Sequence, residues 1–256
     1  MKKKIINIFS FFNDDTPYYS ASLSFFTIFS ILPLIALLIV VVSSLPEFHI
    51  HKDTIMLYVL DFINPTQSES LAYQLEIFLS NTNKLGNIGI FYLLFVFTMF
   101  FKDYEHIINK IYNSKPRAIY KLFFLYLGFL IFIPFLLFIF VFISTLSKLT
   151  NFTFSLEIFT FLFVWIMFII LFILSANTKI KFSSSAIASF VTLISLSITK
   201  SLFGYYVATN TTYATIYGSF SVALFFFLWI YISWNIYLYG TKLCSILNKG
   251  FLNNAN

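Results

Sequence analysis

The side chains best suited to catalysis are few in this chain and widely scattered along it. There are 3 histidines, 10 carboxylates and a single cysteine, Cys244, and the only close pair of histidines is His49 and His51. Residues two apart share a face in a strand but not in a helix. A metal-dependent nuclease needs several His and carboxylate ligands around one ion. The sequence therefore predicts no catalytic residue, no metal site and no cofactor, and we expect the chain not to be an enzyme.

Hydroxyl side chains recur at helical spacing in two apolar segments. One segment carries Ser20, Ser24 and Thr27, and the other carries Ser185, Ser189, Thr192 and Thr199. Such residues let membrane helices approach closely and hydrogen-bond across the contact, but two facing stripes would also line a polar path. Both interpretations stay open. The residues that such a path would use are Ser24, Thr27, Ser189, Thr192 and Lys200.

Charged residues add two further candidates. Lys200 is an ionisable residue inside an apolar segment, which makes it a functional candidate by default, although near the predicted outer end it can also extend to the interface. The second apolar stretch is short, and we expect it to continue as a polar helix that carries Asp103, Glu105 and Asn109, with Glu105 and Asn109 on one helical face. If this helix stays in the bundle, the three residues form a cytoplasmic gate. If it emerges, they are an ordinary solvated helix end.

The elements that must position these residues are membrane-spanning helices. Apolar residues make up 59% of the 256 positions and charged residues only 10%, against a usual ~25% charged in soluble domains. Such a chain must use lipid as the solvent for its apolar side chains. We predict an all-α, single integral-membrane domain over residues 1–256, with an amphipathic helical outer loop at 46–86. Its six transmembrane helices are predicted at 19–45, 87–106, 119–146, 156–176, 182–203 and 217–240.

The positions of the basic residues test this arrangement. With the N-terminus in the cytoplasm, the cytoplasmic segments hold 12 of the 16 Lys and Arg residues, the outer loops hold Lys52, Lys84 and Lys148, and Lys200 lies in the fifth span. An excess of Lys and Arg on the cytoplasmic side is the usual orientation signal of membrane proteins. We therefore predict a multi-pass protein with both termini in the cytoplasm. We expect membrane lipid, not nucleic acid, as its partner, and the sequence indicates no oligomeric state.

The first span contains Ala-Ser-Leu-Ser-Phe-Phe-Thr-Ile-Phe-Ser-Ile-Leu-Pro-Leu over residues 21–34, and the last span contains Tyr217-Gly218-Ser219 and Leu238-Tyr239-Gly240. Together these motifs resemble the YihY/BrkB family of bacterial inner-membrane proteins. Asn109-Lys110-Ile111-Tyr112 is similar to the family's Asn-containing segment after the second span. The motif residues with structural roles are Pro33, Tyr217, Gly218, Ser219 and Gly240. One departure is Gly240-Thr241-Lys242, where the family often has Gly-Ala-Glu.

This resemblance implies an inner-membrane location without an assigned reaction. Family members are linked to virulence or serum resistance and to envelope or lipid export. Some carried an old label as a tRNA-processing ribonuclease, which the scattered histidines of this chain do not support. We expect envelope-related transport or export of a lipid or anionic solute. The alternative is a non-catalytic membrane scaffold or assembly factor, and an intramembrane enzyme comes last.

Overall fold

Every regular secondary-structure element in the part of the chain that the structure describes is a helix. The structure is a computed structural model, and it describes residues 14–43, 73, 77, 86–118, 120–122, 124–126, 128, 156–217 and 220–253. Within these ranges the helices with defined bounds are α1 Thr16–Ser43, α2 Gly86–Tyr112, α3 Leu156–Ser175, α4 Phe182–Thr209, α5 Thr211–Tyr217 and α6 Phe220–Asn253. Residues 120–122, 124–126 and 128 are also helical. The predicted all-α class is confirmed for these ranges.

Two of these helices are long and apolar enough to cross a membrane. They are α4, over Phe182–Thr209, and α6, over Ala223–Gly250. α3 adds a shorter apolar helix, Thr160–Ser175. α4 also leaves large apolar side chains exposed on one face, among them Phe190, Ile194 and Ile198. A lipid environment permits such exposure, since hydrocarbon solvates apolar side chains.

α6 is central to the packing of the described helices. It lies against α4, α1 and α2, while α1 also packs on α2, and α3 on α4. The buried apolar core where they meet contains Leu23 of α1, Ile107 and Ile108 of α2, Phe172 of α3 and Leu238 of α6. The two hydroxyl-bearing helices, α1 and α4, therefore both rest on α6.

One end of the bundle collects the start of α1, the ends of α2 and α3, the start of α4 and the end of α6. Asp14, just before α1, pairs with Lys242 of α6. Arg117, just after α2, bonds the last carbonyls of α3. The Asn248 side chain of α6 bonds the backbone of residues 179 and 181 in the turn before α4. Apart from Lys102, which lies ten residues before the end of α2, and Lys200, the described Lys and Arg residues lie in these segments or in residues 115–121 after α2. We refer to this end as the basic end.

The helix bounds extend three of the predicted spans, one of which is the fifth, since α4 ends at Thr209 and not at residue 203. α2 continues in helical conformation to Tyr112, as the sequence predicted for its polar continuation. α6 begins at Phe220 instead of Tyr217, because Tyr217 ends the separate short helix α5, and it continues to Asn253. Hydropathy marks only the apolar half of α6. Its second half carries polar residues that are nevertheless buried against neighbouring helices, so the helix does not stop where hydropathy falls.

Some predicted elements lie outside the described residues. Of the outer loop 46–86, only Tyr73, Ile77 and Gly86 are described, and all three are helical. His49 and His51 fall outside the described ranges, as does most of the third predicted span. The helical fold of the outer loop therefore stays a prediction.

Candidate functional site

A buried ion pair between Glu105 and Arg117 is the centre of the candidate site. Arg117 Nη1 lies 2.8 Å from Glu105 Oε2, and the two side chains keep only 12% and 3% of their exposure. Taking charges out of water costs several kcal/mol per ion, which is offset only when the remaining hydrogen-bonding positions are satisfied. The surroundings of both groups therefore decide what the pair can do.

The end of α2 explains how Arg117 reaches Glu105. Asn113 adopts the left-handed conformation, with φ of 52°, and the Ser114 N–H donates to the Asn109 carbonyl at 2.9 Å. This is a common helix C-terminal turn in which Asn or Gly reverses the chain. Ser114 Oγ also donates to Asn109 Oδ1 at 2.6 Å. The reversed segment, residues 114–118, brings Arg117 back alongside the last turns of α2.

The protein itself occupies the hydrogen-bonding positions of the Glu105 carboxylate. Oε1 accepts from Asn109 Nδ2 at 2.7 Å and from the Arg117 N–H at 3.3 Å. Oε2 accepts from Arg117 Nη1 at 2.8 Å and from Tyr126 Oη at 2.9 Å. A carboxylate offers about four such positions. In this conformation Glu105 is a fixed internal acceptor, with no position left for a donor on a substrate.

Arg117 joins this carboxylate to the end of α3. Its Nη1 also donates to the Ser175 carbonyl at 2.9 Å, and its Nη2 donates to the carbonyls of Leu174 and Ala176 at 2.7 and 2.6 Å. The last carbonyls of a helix lack intrahelical partners and carry the negative end of the helix dipole. A guanidinium there satisfies the carbonyls and the dipole together, so Arg117 fastens α3 to α2.

Buried hydroxyls lie next to the ion pair. Tyr104 Oη and Tyr237 Oη are 2.5 Å apart, and Ser175 lies within hydrogen-bonding reach of both. The rings of Tyr104 and Tyr126 meet edge to face, with centroids 6.4 Å apart. Charges and hydroxyls therefore form one buried group across α2, α3, α6 and the helical residues around Tyr126. We refer to this group as the polar cluster: Tyr104, Glu105, Asn109, Arg117, Tyr126, Ser175 and Tyr237.

The structure brings together two of the three predicted gate residues. Glu105 and Asn109 meet in the polar cluster, whereas Asp103 accepts a hydrogen bond from Ser22 Oγ of α1. Two residues along a helix correspond to about 200° around its axis, so Asp103 and Glu105 point to opposite sides of α2. The gate as predicted is thus divided between two helix contacts.

Sequence reasoning placed Asn109 beside Glu105 but missed Arg117 and Tyr126, which also bond Glu105, and Tyr237, which bonds Tyr104. Tyr126 and Tyr237 stood among many aromatic residues in apolar segments, and nothing in their spacing set them apart. One signal was available for Arg117, since it is the only arginine in the sequence and every other cation is a lysine. Arginine differs from lysine in its planar fork of donors, and a lone arginine near a carboxylate-bearing helix end is a candidate for a bidentate contact.

The predicted path residues of α1 bond to their own helix. Ser24 Oγ donates to the Ser20 carbonyl at 2.5 Å, and Thr27 Oγ1 donates to the Leu23 carbonyl at 2.7 Å. Thr27 Oγ1 also accepts from Trp234 Nε1 of α6 at 2.9 Å. Hydroxyls that bond to the preceding turn are already satisfied. Their contribution to the bundle is small size and, at Thr27, a hydrogen bond between helices.

The predicted path residues of α4 lie at a close helix contact. Ser189 Oγ donates to the Ala186 carbonyl at 3.1 Å, and Thr192 Oγ1 donates to the Ala188 carbonyl at 2.7 Å. Gly240 of α6 lies directly against Thr192, so that a Cβ built on Gly240 would overlap Thr192 Oγ1 and lie 3.0 Å from Thr192 Cβ. Small residues at such positions let membrane helices approach closely. Gly240 therefore has a packing role.

The remaining predicted residues lie apart from these contacts. Lys200 is exposed and sits eight residues beyond Thr192, about 12 Å along α4. Pro33 lies within the helical backbone of α1, and Tyr217 ends α5 with 48% of its side chain exposed. Gly218 and Ser219 are outside the described residues. In the described ranges no three His, Cys, Asp or Glu side chains come together.

Asp14 fastens the start of α1 to α6. Its Oδ1 accepts from the Thr16 N–H at 3.1 Å, and its Oδ2 lies 2.5 Å from Lys242 Nζ. Burial by itself raises the pKa of Asp14, but the hydrogen bonds from Lys242 and Thr16 outweigh it and lower that pKa below 3.8. Lys242 stands where the resembling family often has an acid, and here its partner is the acidic Asp14.

The described helices form a bundle with charges and hydroxyls in its interior, and two of them are long and apolar enough to cross a bilayer. The family model described as Virulence factor BrkB matches residues 8–254. The chain therefore belongs to the BrkB family, which confirms the resemblance found in the sequence.

Curated relatives carry the same description, UPF0761 membrane protein. The one from Glaesserella parasuis serovar 5 (strain SH0165) is 27% identical over 206 residues, covering 74% of this chain and 71% of the relative. One from Haemophilus influenzae (strain 86-028NP) is 27% identical over 239 residues, covering 90% and 89%. One from Actinobacillus pleuropneumoniae serotype 5b (strain L20) is 26% identical over 260 residues, covering 93% and 92%. No solved structure matches the chain.

Proposed function

We propose that this BrkB-family protein spans the bacterial inner membrane six times, with both termini in the cytoplasm, and transports or exports a lipid or anionic solute of the cell envelope. The distribution of Lys and Arg over the sequence supports the orientation, and their concentration at the basic end agrees with it. The basic end is then the cytoplasmic face. In this function the protein needs neither a catalytic centre nor a cofactor, and its partner is membrane lipid, not nucleic acid.

The polar cluster is the observation that carries the transport proposal. Ionisable residues inside membrane bundles are costly and usually serve a function. Here Glu105 and Arg117 lie at the cytoplasmic end, where they hold α2 and α3 together. A phosphate or carboxylate group on a substrate is the natural competitor for a guanidinium, because it matches the planar fork of donors. An anion that draws Arg117 away releases the carbonyls of α3, and in this mechanism the cytoplasmic end then opens.

The four hydroxyl residues of the predicted path favour a second candidate, a membrane scaffold. Ser24, Thr27, Ser189 and Thr192 bond to their own helices, and Thr192 lies tightly against Gly240. Satisfied hydroxyls at close contacts are what a static bundle requires. In this alternative the polar cluster is a permanent fastening between helices and never opens.

Leaflet exchange of a fluorescent phosphatidylglycerol in proteoliposomes separates the two candidates. We expect the purified full chain to accelerate exchange over protein-free vesicles. Glu105→Gln and Arg117→Lys should change that rate, since both alter the contact between α2 and α3. Asp15→Asn is the matched control, because it removes an exposed ion pair with Lys110 at the same end and should leave the rate unchanged. If the full chain moves neither this lipid nor a soluble organic anion, the result contradicts the transport proposal and favours the scaffold function.

Reporter fusions test the orientation. A reporter after Asn256 should be active on the cytoplasmic side, and one inserted within residues 46–86 should be active on the outer side. Activity of both reporters on the same side would contradict the six-span arrangement.

A further inference from the structure

The basic end carries exposed lysines that the polar cluster does not use. Lys115 lies in the segment after α2, Lys121 lies in the helical residues that follow it, and Lys179 lies in the turn between α3 and α4. All three are exposed. Arg117 lies in the same segment as Lys115, but its guanidinium is hydrogen-bonded to Glu105 and to the carbonyls of α3. The exposed positive charge of this region therefore belongs to the lysines.

Hydrogen bonds hold the lysine-bearing segments side by side. Asn177 Nδ2 donates to the Lys115 carbonyl at 2.8 Å, and Arg117 Nη2 donates to the Ala176 carbonyl at 2.6 Å. The turn with Lys179 and the segment with Lys115 are thus fixed to each other, and like charges are kept on one surface. Like charges on one surface repel each other, and a bound group of opposite charge offsets that repulsion. This surface therefore suits an anion.

Among the described residues, the carboxylates are engaged elsewhere or lie at the other end of the bundle. After Glu105 the sequence contains only one acidic residue, Glu157, at the opposite end of α3 from Lys179. Glu105 itself is buried with Arg117. Asp14 and Asp15, near the start of α1, are engaged by other lysines. Within the part of the chain that the structure describes, no carboxylate pairs with these three lysines, so this surface is accessible to an anion from outside.

Exposed aromatic side chains lie next to the lysines and indicate what kind of anion fits. Tyr120 is 61% exposed, Phe124 is 70% exposed and Phe182 is 67% exposed. Tyr120 and Phe124 are four apart and share a helical face beside Lys121. Tyr residues of membrane proteins concentrate at the level of the lipid headgroups, and exposed Phe rings are apolar surface that acyl chains can cover. A cationic surface bordered by such rings suits a molecule that joins an anionic group to hydrocarbon.

We propose that Lys115, Lys121 and Lys179, bordered by Tyr120, Phe124 and Phe182, form a docking surface for the phosphate headgroup of an anionic phospholipid. The lysines bind the phosphate, and the aromatic rings contact the acyl chains beneath it. This surface is distinct from the polar cluster, and its occupancy does not depend on whether the protein moves a substrate.

Native mass spectrometry of the purified full chain in detergent tests the proposal. The probes are phosphatidylglycerol and phosphatidylethanolamine, titrated separately. Attraction of a basic segment to anionic lipid grows with each lysine, so replacing Lys115, Lys121 and Lys179 together with Gln should weaken phosphatidylglycerol binding by at least about tenfold. Replacing the same three with Arg should retain the binding, which shows that charge at these positions is what counts.

The matched control replaces Lys52, Lys84 and Lys148 with Gln, which removes the same net charge from the predicted outer loops. Phosphatidylglycerol binding by this control should stay within about twofold of the original chain, since the lipid contacts remain. Equal loss in the two triple variants would overturn the proposal, because net charge alone would then account for binding. Displacement of bound lipid by glycerol phosphate would also overturn it, because the surface would then be a site for soluble anions.

Discussion

Removal of Arg117 should destabilise the bundle more than removal of any other exposed or half-buried charge at the basic end. Arg117→Ala leaves the buried Glu105 carboxylate with only Asn109 and Tyr126 as side-chain donors, and leaves three carbonyls at and just after the end of α3 without the guanidinium. Breaking a buried ion pair by removing one partner costs about 3–5 kcal/mol. Arg117→Lys should cost roughly 2 kcal/mol, because one ammonium cannot replace the planar fork that reaches a carboxylate and three carbonyls.

The measurement is the free energy of unfolding in mixed micelles of mild detergent and SDS, read by circular dichroism. A double-mutant cycle of Glu105→Gln and Arg117→Gln should give a coupling of about 1–3 kcal/mol, since each single variant leaves the other group unmatched. Lys110→Gln is the control, because its pair with Asp15 is exposed and its loss should leave stability nearly unchanged. If Arg117→Ala were no less stable than this control, the polar cluster would not hold α2 and α3 together.

Three further predictions concern the contacts of α6. Gly240→Ala should lower the free energy of unfolding in the same micelles by about 1–3 kcal/mol, because the new Cβ overlaps Thr192, and Thr192→Gly in the same chain should recover part of the loss. If Gly240→Ala had the same free energy of unfolding as the original chain, α4 and α6 would be able to move apart without loss of stability. Lys242→Glu should destabilise the protein by up to about 1 kcal/mol, and Asp14→Lys in addition should restore stability by exchanging the charges. Because the pKa of Asp14 is lowered in the fold from 3.8, its contribution is fully present above that pH and is lost as the pH falls through the folded value. Asp14→Asn should remove this part of the acid sensitivity in unfolding measured at decreasing pH, and an unchanged acid profile would contradict the assignment.

The sequence was sufficient to predict the helices where their signals are local. Runs of apolar residues located both ends of α1 and α3 and the start of α4 to within three residues, whereas α4 ends six residues beyond its predicted span. The polar continuation of α2 was also predicted, because Glu105 and Asn109 keep helical spacing after the apolar run ends. α6 was predicted too short, because hydropathy does not register polar residues that are buried by packing, such as Thr241 and Asn248.

The polar cluster could not be assembled from the sequence, because its contacts join segments far apart in the chain. Glu105 was a candidate, but nothing local indicates that it meets Arg117 after a left-handed turn at Asn113, or that Arg117 also reaches the end of α3. The hydroxyl residues of α1 and α4 show a different limit of prediction from sequence. Their spacing was correctly seen, while the close approach of Thr192 to Gly240 depends on how two helices cross, and that geometry leaves no pattern in either segment alone.

The position of the ion pair along the chain bears on the order in which the contacts of Arg117 can form. Glu105 and Arg117 are only 12 residues apart, whereas the carbonyls at the end of α3 that Arg117 also binds come 57 to 59 residues after it. During synthesis from the N-terminus, the two opposite charges can meet before α3 exists. When α3 is made, its end then meets a guanidinium that Glu105 already holds in position, so one arginine joins a contact within a short segment to a contact with a distant helix.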